Sequence, residues 1–125
     1  MEAGRELDAL IAEKVMGLTL GPAPMSANFE ITCVKLGDHE WRNISYYSTE
    51  IGAAWEVVEK LRGAGWTFHV DDVGFNDATE GEWRVMFTEA TTGNEHVFAD
   101  GKTAPHAICL AALKAVEVAT VTDPK

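Results

Sequence analysis

Cations are scarce in this chain. Ten Lys and Arg stand against twenty Asp and Glu, for a formal charge of −10 at pH 7. A surface this acidic repels duplex nucleic acid and anionic membrane, because both are bound mainly through Lys and Arg contacts with phosphate. Nucleic acid polymers and membranes are therefore excluded as expected partners. Cysteine is scarcer still: Cys33 and Cys109, both in apolar stretches, with no neighbouring Cys or His at metal-ligand spacing. This pattern excludes a disulfide framework and points to buried free thiols and a reducing, cytoplasmic setting. Long apolar runs are missing as well. The longest, within residues 107–119, is interrupted by Lys114 and Glu117 and is too short to span a bilayer. The N-terminus lacks a basic stretch followed by an apolar one, so no signal peptide is expected. There is no internal repeat and no low-complexity segment.

What remains is ordinary globular material, with 46% hydrophobic and 24% charged residues in a chain of 125, suited to one domain over 1–125. Three blocks read as helices: GRELDALIAEKVMG, YSTEIGAAWEVVEKL and TAPHAICLAALKAV. In the first, Leu7, Leu10, Ile11 and Val15 form an apolar stripe, Glu6, Asp8, Glu13 and Lys14 face away, and Gly17 ends the helix. In the second, Ser48 or Thr49 caps the start, and Ile51, Trp55, Val58 and Leu61 form the apolar face. The third is apolar nearly all round, so it should be the most buried helix, packed on a sheet and against another helix or subunit. Thr103 caps it, and Pro105 is tolerated in its first turn.

Strand patterns lie between the helices. Residues 28–36 alternate, with Glu40 to Ile44 as a hairpin return after Gly37-Asp38. Residues 66–70 alternate Trp66, Phe68 and Val70 against Thr67 and His69, and Trp83, Val85 and Phe87 alternate with Arg84, Met86 and Thr88. Thr92-Gly93-Asn94 turns that strand into 95–99. Gly21-Pro22-Ala23-Pro24 reads as a stiff loop, and 71–81 as a polar one. The order predicts an α+β fold: an antiparallel sheet of about four to five strands with helices packed on it.

No arrangement of residues announces catalysis. Gly101-Lys102-Thr103 has the end of a phosphate-binding loop, but His96 stands where the motif needs its earlier glycine. Helix, three strands, helix is also the order of double-stranded RNA-binding domains. Those need a basic cluster where this chain offers only Lys102 and His106. His39, His69, His96 and His106 contain no pair at helical metal spacing, though His69 and His96 could approach across strands. Asp71, Asp72 and Asp77 lack calcium-loop spacing. No catalytic residue, metal or cofactor is expected.

Two groups of residues suit a ligand. Trp41, Tyr46 and Tyr47 lie beside Arg42 and Asn43, and Arg84 is a second cation able to serve a pocket. Aromatic rings stack a base, while Arg and Asn donors hold phosphates. Core packing is the competing account of the aromatic residues. At the start of the last helix, Lys102, Thr103 and His106 meet free backbone N–H groups and a positive dipole. Capping by Thr103 alone is the competing account there.

The blocks 6–17, 47–61 and 103–116 closely resemble those of small bacteriophage and prophage proteins with a phage ABA sandwich domain. The resemblance implies an α/β/α sandwich with helices on both faces of the sheet, the first helix being the candidate for the second face. Residues 18–44 and 71–81 depart from it. More loosely, proteins of this size and origin are similar to viral sponges that counter Thoeris defence. Those bind cyclic ADP-ribose signals, and sometimes cyclic oligonucleotides, without cleaving them, as oligomers with shared pockets. The implied function is a non-enzymatic phage protein, cytoplasmic in the infected cell, holding a small anionic nucleotide as a homo-oligomer. The alternative is an interaction module acting through self-assembly or a host protein.

Overall fold

The computed structural model describes residues 2–22, 32–35, 41–72, 82–91 and 95–122, without the side chains of 22, 32–35, 41–42 and 119–122. The elements run α1 (Arg5–Leu10), continued by a π-helical segment (Ile11–Val15), β1 (Thr19–Pro22), β2 (Thr32–Lys35), β3 (Trp41–Asn43), α2 (Ile51–Gly63), β4 (Trp66–Asp72), β5 (Trp83–Glu89), β6 (His96–Gly101) and α3 (Ala104–Thr122). The described strands form two antiparallel three-stranded sheets, β1–β2–β3 and β4–β5–β6, rather than one. The α+β sandwich class stands, with the strands divided differently. Phe29, Ile31, the Gly37-Asp38 turn, residues 73–81 and the Thr92-Gly93-Asn94 turn lie outside the described residues.

The first helix ends as its sequence requires. Gly17 adopts φ +70°, in the left-handed region that glycine enters freely, and the Leu18 N–H reaches back to the Ala12 carbonyl at 2.8 Å. Its last turn is widened: the Met16 N–H bonds the Ile11 carbonyl at 2.9 Å, closing a π-helical loop over buried Ile11, Ala12 and Val15. Strand β1 replaces the loop expected at Gly21-Pro22. Pro22 ends an edge strand opposite Thr32, where a missing N–H need not break a ladder.

The sheet β4–β5–β6 is held in register by Phe68 opposite Phe87 and Phe87 opposite Val97. Its inner face, with Trp66, Val85, Phe87, Val97 and Ala99 buried, takes α2 and α3. The other helix face of α3 meets the π-helical segment of the first helix, so Ala107, Ile108, Cys109, Ala111, Ala112 and Ala115 are all buried. This matches the all-round apolar reading of α3. Burial of Ile108 stabilises by about 1.5–3 kcal/mol, and the four buried alanines favour the helix by propensity while letting its neighbours approach closely. The first helix packs chiefly on α3 and α2, not on the sheet's second face. The physical reason is that α2 and α3 leave an apolar seam matching Leu7, Ile11 and Val15, while the second face carries Thr67, His69, Arg84 and Asp100.

Helix α2 buries Val58 and Leu61 of the expected stripe but not its first two residues. Ala54, Val57, Val58 and Leu61 face inward, and Ile51 and Trp55 stay 58% and 44% exposed. Its cap also differs: Glu50 occupies the cap position with no side-chain hydrogen bond, and Ser48 is engaged elsewhere.

Candidate functional site

The turn between β3 and α2 is fastened to the first helix by a polar cluster. Asp8 was expected to face solvent; it is fully buried. Its Oδ1 accepts the Ser48 N–H at 2.8 Å and the Ser48 hydroxyl at 2.7 Å, and its Oδ2 accepts Arg5 Nη1 at 2.9 Å. The Gly4 N–H donates to Ser48 Oγ at 2.9 Å. Arg5 spans the join, since its Nη2 also donates to the Ile44 carbonyl at 2.6 Å. A buried carboxylate is tolerated only with partners of this number and geometry. The pattern could have been found in the sequence: Asp8 shares the helical row of Ala12 and Val15, one turn from Arg5.

Arg5 also covers Tyr46. The guanidinium carbon lies 4.1 Å from the ring centroid, and Tyr46 remains 48% exposed. Tyr47, the next residue, is buried in the core. Asn43 ends β3 on the same segment with its side chain exposed. Trp41 and Arg42 belong to β3, paired with Lys35 and Val34, and their side chains lie outside the described residues. Of the aromatic group named from sequence, Tyr46 and Asn43 are therefore surface residues and Tyr47 is core. Arg5 is a cation that the sequence reading missed.

Arg84 belongs to a separate surface. It stands on β5 opposite Asp100 on β6, with Nε–Oδ1 at 2.7 Å and Nη2–Oδ2 at 3.0 Å. This bidentate hydrogen bond holds the Asp100 carboxyl below its usual range and raises Arg84 further above its own. Arg84 also lies 5.1 Å from the Phe98 ring centroid, on the sheet face turned away from α3. Its charge is thus already answered by a carboxylate.

Lys102 and Thr103 are exposed where β6 passes into α3. Thr103 caps the helix: its Oγ1 accepts the His106 N–H at 3.3 Å and its carbonyl accepts the Ala107 N–H at 3.0 Å. His106 is half-buried one turn in. Gly101 permits this junction, because a Cβ there would stand 2.7 Å from the Ala107 nitrogen. Of the nine residues named from sequence, five thus lie on β3 and the turn before α2, Arg84 lies on β5, and Lys102, Thr103 and His106 lie at the junction of β6 with α3.

His69 and His96 stand on different strands separated by β5, with separate partners: Asp71 Oδ1 at 3.1 Å and Thr88 Oγ1 at 3.1 Å. Among the described residues, no group of three or more His, Cys, Asp or Glu is arranged to hold a metal. Burial, with the nearby charge of Asp8 as a lesser cause, pushes the Cys109 thiol far up. Among the described residues, no helix is long and apolar enough to cross a membrane.

Among curated proteins, none matches this chain. It is similar to a solved structure, the crystal structure of a phage protein from Bacillus cereus ATCC 14579, at 25% identity over 90% of each chain and a TM-score of 0.65. Residues 9–113 match the phage ABA sandwich domain, and the sandwich described above is consistent with that match. The chain belongs to the phage ABA sandwich domain family.

Proposed function

We propose that this phage protein is a non-enzymatic binding protein. It holds a small anionic nucleotide of the cyclic ADP-ribose or cyclic oligonucleotide type and so withdraws a host immune signal. The observation that carries this reading is the exposed Tyr46 ring with Arg5 against it, on the segment that also exposes Asn43. One ring face is braced by a cation, and a base can stack on the remaining exposed surface. The Asp8–Ser48 cluster fixes Arg5 and the Tyr46 turn before any ligand arrives, so little ordering is needed on binding. Ultraviolet absorbance and mass spectrometry of material released from the heat-denatured protein test the proposal. Recovery of an intact nucleotide agrees with the proposal; recovery of a cleaved product after incubation with cyclic ADP-ribose contradicts the non-enzymatic part.

A second reading is an interaction module acting by self-assembly or through a host protein. The exposed Ile51 and Trp55 favour it. Light scattering tests self-assembly, and a monomer at all concentrations removes that branch.

A further inference from the structure

We infer that the outer face of the β4–β5–β6 sheet packs on the same face of a second copy of this chain, forming a two-fold dimer. This rests on the self-assembly branch of the second reading above and names its surface.

Helices α2 and α3 take the inner face of this sheet, and alternate side chains of its strands point the other way. Register sets His69, Met86 and Phe98 in one outward row and Asp71, Arg84 and Asp100 in the next. Phe98 is 50% exposed and Met86 half-buried, so the first row has an apolar centre open to a neighbour. The composition is that of an interface. Aromatic residues, Met and Arg are enriched at buried interface centres, and Lys, Glu, Ser and Ala are depleted. No Lys, Glu, Ser or Ala stands at an outward position paired across these three strands.

The long side chains around Phe98 are already fixed. The Arg84 guanidinium carbon lies 5.1 Å from the ring centroid, held by its bidentate contact with Asp100. Lys114 reaches over from α3, with Nζ 5.7 Å from the centroid and 2.9 Å from the Phe98 carbonyl. A surface ordered in advance loses little freedom when it is covered.

Charge names the occupant. The carboxylates of this face are Asp71 and Asp100, and Arg84 and Lys114 answer them; Asp71 also lies 3.1 Å from His69 Nε2. The formal −10 of the chain therefore lies outside this face. A strongly basic partner finds no net charge here to pair with. A second copy meets both signs around an apolar centre, the self-complementarity that a two-fold interface requires. The charge elsewhere on the two copies repels at longer range and is screened by salt, with a Debye length of about 10 Å at 0.1 M. Salt should therefore tighten this dimer, the opposite of its effect on a union of unlike charges.

Sedimentation equilibrium of the full chain at about 0.05 M and about 0.5 M NaCl tests this. The expected result is a monomer–dimer equilibrium with a dissociation constant at least about threefold lower at high salt, and a Met86 methyl resonance that moves with protein concentration. Phe98→Ser should weaken the dimer about tenfold or more, with near-ultraviolet circular dichroism unchanged, and Trp55→Ser on α2 should not weaken it. His96→Glu, exposed on the same face as Phe98, should weaken it as well by adding like charge. An association that weakens with salt overturns the proposal, as does a dimer that survives both Phe98→Ser and His96→Glu. If Trp55→Ser breaks that surviving dimer, the interaction-module reading stands on the α2 surface instead. A monomer under all conditions removes the proposal together with the self-assembly branch.

Discussion

Ser48 donates its hydroxyl proton to Asp8 Oδ1 at 2.7 Å, joining residues 40 positions apart in the buried space between the first helix and the turn before α2. The same carboxylate takes the Ser48 N–H and the Arg5 guanidinium. The turn that carries Tyr46 is therefore positioned by a helix 40 residues earlier in the sequence.

Asp8→Ala should be among the most damaging single changes. It leaves the buried Ser48 N–H without its acceptor and the Ser48 hydroxyl with only the Gly4 carbonyl at 3.3 Å, at a cost of about 3 kcal/mol in urea unfolding. Ser48→Ala should cost less, about 1–2 kcal/mol, because Arg5 and the backbone N–H still satisfy Asp8. The double variant should fall short of the sum by about 1 kcal/mol or more; full additivity would show that the contact is energetically silent.

Gly101→Ala tests the β6–α3 junction. The new methyl would sit 2.7 Å from the Ala107 nitrogen and 3.1 Å from its Cα, both backbone atoms that cannot turn aside. Overpacking of this kind costs about 1–3 kcal/mol. Thermal unfolding should show a clear loss, whereas Gly52→Ala, with open space around its Cβ position, should not.

The Arg84–Asp100 pair gives the fold a pH dependence of known sign. The folded Asp100 carboxyl is held below its ordinary 3.8, so the stabilisation is complete above that value and lost as pH falls below it. Asp100→Asn should lower the Tm at pH 7 by at most about 2 °C, since the pair is only partly shielded from water. The gap between the two proteins should close below pH 3.8 and not above it. A constant gap across the acid range would contradict the assignment.

Cys109 should be silent toward thiol reagents. In a Cys33→Ala background, Ellman's reagent should find no reactive thiol in the native protein and one after denaturation. Prompt reaction in the native state would mean that α3 opens readily or is not buried.

Periodicity made much of this fold legible. The alternation of Val85 and Phe87, and the all-round apolar face of α3, leave one physical solution each, burial on the sheet and burial on every side. Strand β1 was hidden because Gly21 and Pro22 weaken strands in general and are tolerated at an edge. The burial of Asp8 was legible in its helical row with Ala12 and Val15, but its pairing with Ser48 was hidden, because Ser48 looked like a capping residue until the chain brought the two together. Trp55 misled for the opposite reason: an aromatic residue at core spacing lies at the margin of α2, against Phe68 but open to solvent. Of the two groups of candidate ligand residues, the capping role of Thr103 was readable from its place before Pro105. The neutralisation of Arg84 by Asp100 depended on strand register and was not.

The most direct test of nucleotide binding is isothermal titration with cyclic ADP-ribose isomers and cyclic dinucleotides, run on the natural protein and on Tyr46→Ala. The account predicts saturable heat with at least one of these ligands and an affinity about tenfold or more weaker in the variant, the effect of removing one stacked base. No heat with any member of the set, or equal affinity in the two proteins, would contradict it.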